Sequence, residues 1–284
     1  MLLCRVPDPI VANPRPASTV VVLRDASGGP EVFLVRRHEG TAFMGGAHVF
    51  PGGRVDAGDH NGDVSWCDGV EWAASQLSDL DREQAIAYHV AAARELFEEA
   101  GVLLARTATR DHFVQDRVDV HGGRATLRAV VEREGLRLAL DSLVLCAHWV
   151  TPPIDTRQFD TRFFLTRLPP GQTPIHDETE TTHSTWITPA AAIAAAASGT
   201  IVLPPPTWTT LRELEVFGSV DAALAWARTR RIARRQPKMV EQNGRRMLLI
   251  PGDPLYPEAS DPESPRETRF VSVDKRWRAE RPGS

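Results

Sequence analysis

Cysteine is scarce in this 284-residue chain, and the three that occur, Cys4, Cys67 and Cys146, are scattered. Such spacing excludes a disulfide framework and a zinc ribbon, and the simplest compartment for it is a reducing cytoplasm. No apolar run approaches the roughly 18 residues of a membrane-spanning helix. The opening "MLLCRVPDPIVANPRPAS" is broken by prolines, which argues against a signal peptide, and the final "RPGS" is no peroxisomal address. Neither sign of charge dominates: the formal net charge is −4. That balance gives no general pull toward nucleic acid or an anionic membrane. There is no internal repeat.

What is present is an ordinary globular composition, 42% hydrophobic and 25% charged, long enough to bury a sizeable core. "STVVVLRD" (18–25) and "EVFLVRR" (31–37) are β-rich runs split by "ASGGP" and predict a hairpin. "AHVFPGGRVDAGD" (47–59) begins as a strand and breaks into a glycine-rich loop. Residues 60–82 have mixed character and are expected to be a surface excursion. A helix is predicted from about Arg82, with Ser78, Asp79 or Asp81 as N-cap, to a stop at Gly101. Further helices are expected over 125–135, after "WITP" and at 207–217 and 219–235, and strands over 142–152, 161–169, 184–189 and near 245–253. The proline- and charge-rich residues 251–284 predict an irregular tail. Strands mingling with helices place the chain in the α/β (α+β) class.

The predicted helix "AAARELFEEAGVLL" (91–104) poses a chemical problem. Glu95, Glu98 and Glu99 share an arc of roughly 100°. Like charges at these spacings repel, and only Arg94 stands beside them. Clustered carboxylates on one helix face suit a hard divalent cation. The "FPGG" turn upstream supplies glycines that let backbone approach the same spot. Alone, an RExxEE helix is more often a solvated face, and Gly52 and Gly53 can be only a tight turn. Together, "FPGGRVDAGD" and "RELFEEAGV" resemble the signature of the Nudix hydrolases, G-x5-E-x7-R-E-U-x-E-E-x-G-U, with U aliphatic. Gly53 takes the first glycine and Asp59 the position usually held by glutamate. Arg94, Glu95, Leu96, Glu98, Glu99, Gly101 and Val102 take the helical half. Thirty-four residues, where the pattern has seven, separate Asp59 from Arg94, an insertion of 27. With "WVTPPIDTRQFDTRFFLTRLP", "WITPAAAI" and "LPPPTWTTL", the chain resembles the acyl-CoA diphosphatase branch, whose box carries such an insertion.

The resemblance implies a Nudix-type α/β/α sandwich with a mixed sheet over residues 15–200, the insertion 60–82 lying within the box. A helical extension over 201–250 packs on it, followed by the tail. It implies Mg2+ or Mn2+ held by Glu95, Glu98, Glu99 and the Gly52 carbonyl, with Arg94 fixing a carboxylate. Water attacks a diphosphate linkage, and Glu98 or Glu180 accepts the proton. Glu180, in "HDETETTHSTW", is equally readable as a solvated acid, with Glu178 as alternative; His183 nearby reads as a surface histidine. Arg36, Arg37, Arg157 and Arg162 are candidates for substrate phosphates, because guanidinium reads phosphate bidentately. CoA or acyl-CoA is the implied substrate, and Gly46 and Phe50 fit the spacing of a CoA-associated motif. Ala42 stands where that motif has arginine. Other nucleoside diphosphates share the same chemistry. The competing class is a non-catalytic Nudix-fold sensor, against which the intact glutamates argue. Homodimers are common in the family, though nothing in this sequence shows one. The six cations of "ARTRRIARRQPK" (227–238) read as a helix end suited to the dipole or as a phosphate patch. Trp66 and Trp72 either stack on a base or anchor the insertion.

Overall fold

The computed structural model describes residues 4–5, 13–40, 44–60, 62–106, 113–153, 157–256, 264–273 and 276–283. Its spine is an eight-stranded mixed sheet. Along one path run Thr181–Ile187, Gly29–Arg37, Arg15–Ala26, Phe159–Arg167, Val144–Val150 and Arg234–Arg235; His48–Val49 and Gly52–Arg54 join off it. Arg15–Ala26 and Phe159–Arg167 run parallel, and the predicted hairpin pairs Leu23 with Val32 in antiparallel register.

The near-continuous hydrophobic runs follow from burial on both faces. Successive side chains point to opposite sides. Val20, Val22, Phe33, Val35 and Phe164 enter one core, and Val21, Leu23, Val32, Leu34 and Leu165 the other. The long helix Arg82–Ala100 covers the first face, and Pro189–Ala197, Pro205–Leu214 and Val220–Thr229 the second. Asp81 caps the long helix, its Oδ1 accepting the Gln84 N–H at 2.8 Å. Gly101 ends it at φ 69°, a left-handed conformation that favours glycine. Two helices on its flank are Val114–His121, which the sequence did not signal, and Leu127–Arg133.

Three expectations are corrected. Residues 60–82 are not a surface excursion. Trp66, Cys67, Ala73 and Leu77 lie in the first core, and Trp72 packs on the second. The short helix Val70–Gln76 packs on the long helix and on the 3-10 turn Leu140–Ser142. Gln76 ties it there: its Nε2 donates to Leu143 O at 2.9 Å and its Oε1 accepts Leu145 N–H at 2.7 Å. Residues 201–250 are helical only to Thr229; beyond lie the strands Arg234–Arg235, Lys238–Gln242 and Arg245–Leu249. The tail is not irregular throughout either. Arg269–Val273 and Arg276–Glu280 complete an antiparallel five-stranded sheet with Cys4–Arg5 and those last two strands. Within the basic segment 227–238 two cations serve packing: Arg235 is fully buried and Arg230 nearly so, and both pair with Glu213, at 2.9 and 3.0 Å, while Arg228, Arg231 and Arg234 are exposed.

Candidate active site

The box closes across its insertion. Asp59 ends the 3-10 turn Ala57–Asp59, and Arg94 stands on the long helix. Arg94 grips Asp59 with two N–H donors, Nε to Oδ1 and Nη2 to Oδ2, each at 2.9 Å. The same guanidinium donates from Nη1 to Glu95 at 2.9 Å and Glu98 at 3.1 Å, and from Nη2 to the Arg54 carbonyl at 2.8 Å. Burial opposes its charge, but the hydrogen bonds to Asp59 and the fields of Glu95, Asp59 and Glu98 outweigh that and raise its pKa. Arg94 is thus a lock, and the shorter aspartate in place of glutamate still reaches it.

Gly52 and Gly53 wedge a short strand between the central strand and the acidic helix. A Cβ on Gly52 would fall 2.3 Å from Ser18 O; one on Gly53 would fall 2.5 Å from the Glu95 carboxylate carbon. At Gly52 the obstacle is backbone and only glycine fits, whereas at Gly53 a side chain would displace the Glu95 carboxylate. The reward is a backbone donor: Gly52 N–H bonds Glu99 Oε2 at 3.0 Å.

The carboxylates are under-compensated. Burial, and then the field of Glu98, push Glu95 up to about 7 despite Arg94. Glu99 is raised well above the ordinary range, first by burial, then by Glu95 and Glu180; Gly52 N–H and Arg37 oppose the rise. Among the described residues no three acidic, histidine or cysteine side chains are already drawn together as a metal cage. Arg94 Nη1 bridges Glu95 and Glu98. The donors nevertheless fit a hard divalent cation: they are oxygens only, and two buried carboxylates destabilise one another's charge.

The remaining predicted residues divide. Arg37 lies on the acidic-helix face; its charge acts on Glu99, and its Nε is buried without a hydrogen-bond partner. Arg36, one residue earlier, takes the opposite face, pairs across strands with His48 and His183, and donates to Glu39 at 2.6 Å. Arg157 is exposed at a bend. Arg162 is buried, bonds Asp79 at 2.6 Å and stacks over Tyr88. It therefore braces the start of the long helix and is not brought to the carboxylates. Glu180 is exposed on the loop before Thr181–Ile187. Asp177 pins that loop, accepting the Glu180 and Thr181 N–H groups at 3.0 and 2.8 Å. Ala42 lies outside the described residues.

Two residues at the site escaped the sequence reading. Arg117 Nε donates to the Glu98 carbonyl at 2.8 Å, supplying a cation at the C-terminal end of the acidic helix. His121 Nδ1 lies 3.8 Å from Glu98 Oε2, and its Nε2 lies 3.3 Å from Thr179 Oγ1. Their i,i+4 spacing in "RVDVH" was the available signal, legible only once a helix is assigned to 114–121.

This sheet, loop and acidic helix define a Nudix hydrolase. Comparisons narrow the branch: a family model described as the NUDT19 Nudix domain matches residues 73–214. The chain is 31% identical to the acyl-coenzyme A diphosphatase NUDT19 of Homo sapiens, over 82% of this chain and 74% of that protein. It is 27% identical to the Gallus gallus protein of the same name, over 94% and 86%. Among solved structures, a Nudix hydrolase from Alicyclobacillus acidocaldarius superposes with a TM-score of 0.62 at 27% identity, covering 75% of this chain and 96% of that one. The chain belongs to the NUDT19 Nudix family.

Proposed function

We propose that the chain hydrolyses the diphosphate linkage of CoA and acyl-CoA, giving adenosine 3′,5′-bisphosphate and a phosphopantetheine product. The observation that carries the hydrolytic chemistry is the buried, under-compensated pair Glu95 and Glu99, the first held by Arg94 and the second by the Gly52 N–H. The names of the relatives supply the substrate class. Glu95, Glu99 and, once Arg94 yields it, Glu98 would hold Mg2+ or Mn2+. A bound cation of that kind screens diphosphate oxygens and lowers the pKa of water. Arg94 keeps the acidic helix in register with the glycine strand. Arg37, with its unpartnered Nε, and exposed Arg157 are the guanidinium groups open to substrate phosphate; Arg162 is spent on Asp79. Glu180 is the better placed proton acceptor, since Glu98 is already engaged by Arg94. In the step itself the water oxygen bonds to phosphorus as its proton passes to Glu180. The bridging P–O bond breaks, and the second phosphate departs with the bridging oxygen. The free, buried thiols of Cys67 and Cys146 suit a reducing compartment such as the cytoplasm.

The test is kcat/KM for CoA, 3′-dephospho-CoA and ADP-ribose under one metal condition. CoA should exceed its dephospho form by about tenfold, the worth of one charge-assisted hydrogen bond. Equal turnover of all three defeats the CoA assignment. Glu99→Gln should remove nearly all hydrolysis while the metal-free fold stays at least as stable, because one repelling charge is gone. Activity within about threefold of the parent at saturating metal would remove Glu99 from the ligand set.

A further inference from the structure

Only four large apolar side chains stand exposed among the described residues: Val114, Val118, Ile175 and Val216. Three of them gather around the C-terminal end of the acidic helix. Val114 and Val118 are one turn apart on the helix Val114–His121, at 73% and 49% exposure. That helix is fixed to the site by Arg117, which bonds the Glu98 carbonyl. Around its axis Val114 lies about 20° and Val118 about 60° from His121. His121 is the side chain that meets the Glu98 carboxylate and Thr179. The valine stripe therefore continues outward from the catalytic carboxylates. Ile175 reaches the same end by another route: its N–H bonds the Ala100 carbonyl at 3.0 Å. It belongs to the segment that carries Thr179 to His121 and Glu180 toward Glu99. The helix turns Val120 into the core, and Phe113, at its N-cap, is buried there as well. It thus has a buried apolar face, and the exposed valines are a second one.

We propose that Val114, Val118 and Ile175 form the subsite for the apolar acyl chain of an acyl-CoA substrate. The proposal rests on the CoA reading above and extends it. A diphosphate held at the acidic helix leaves the remote end of the substrate free to lie along the helix Val114–His121. Covering exposed valine and isoleucine removes apolar surface from water. The subsite would make the enzyme distinguish acylated from free CoA by chain length.

The experiment compares kcat/KM for free CoA, hexanoyl-CoA and decanoyl-CoA. The proteins are the parent, the double variant Val114→Ser/Val118→Ser, Ile175→Ser, and Val216→Ser as a control from the opposite layer. The parent's kcat/KM should rise with chain length. The decanoyl-to-free ratio should fall about tenfold in the double variant and less in Ile175→Ser. Val216→Ser should keep the parental ratio. CoA hydrolysis with no chain-length dependence in the parent, or with a ratio unchanged in the double variant, overturns the proposal and leaves the CoA reading standing. A shift of molar mass in solution without a change of ratio also overturns it, and assigns the stripe to contacts between copies of the chain. Failure to cleave any CoA compound defeats the underlying reading and the subsite together.

Discussion

Glu95 binds its proton with a pKa of about 7 in the folded chain, against an ordinary 4.5. Burial is the main cause. Between those two values the folded protein keeps a proton that the unfolded chain has lost. The Glu95 contribution to the stability of the metal-free protein therefore falls as pH rises from about 4.5 to about 7, then levels. Glu99, raised for the same reason, acts in the same direction. Thermal unfolding in chelator should show Tm declining across that window, and Glu95→Gln should flatten the decline. A parent Tm that climbs with pH there would show that these carboxylates are solvated. At this scale much was legible. The crowding of Glu95, Glu98 and Glu99 marked a candidate site, and the box pattern anticipated that Asp59 would meet Arg94. The fate of the arginines was not legible, because Arg36, Arg37 and Arg162 differ by strand face and by partner, and neither is written in composition.

The elements divide along a similar line. Strands buried on both faces and a capped, glycine-stopped helix carry strong local signals, and both were read within a few residues. The helix Val70–Gln76 spans seven residues and Val114–His121 eight. Such short helices owe their form to tertiary packing more than to propensity. The core role of residues 60–82 was hidden for that reason, since glycine and aspartate at their start suggest a loop. Leu77, fully buried at the end of the short helix, tests the correction. Leu77→Ala should cost about 2–5 kcal/mol in chemical denaturation. A loss below about 0.5 kcal/mol, the level of an ordinary surface change, would return the insertion to the surface.

The whole molecule is a sheet between two cores, with a second sheet built from the C-terminal strands. Its C-terminal third is fastened by ion pairs as well as by apolar packing. Glu213 receives Arg230 and Arg235, and Glu267 receives Arg212 at 3.0 Å. Glu213→Gln would leave two buried guanidinium groups short of their counter-charge. It should lower stability by about 3 kcal/mol, since breaking a buried pair exposes the cost of the charge left behind. The kcat at saturating metal should stay near that of the parent. A variant as stable as the parent would show that the remaining contacts of Arg230 and Arg235 suffice. The sequence hid this arrangement because a run of six cations reads as a helix end or a phosphate patch, whereas the acid that Arg230 meets lies 17 residues upstream.

The hairpin strand Gly29–Arg37 sets Phe33, Val35 and Arg37 toward the acidic helix and Val32, Leu34 and Arg36 toward the other layer. Catalysis and C-terminal packing are therefore geared to one another through a common parity. A single residue added to the strand just before Arg36 would present the wrong guanidinium to Glu99. Added in the turn at Gly28, where a Cβ would meet nothing within 4 Å, the same residue is absorbed by a longer loop. The chain can lengthen its box by 27 residues, yet inside this strand a change of one would exchange the two faces.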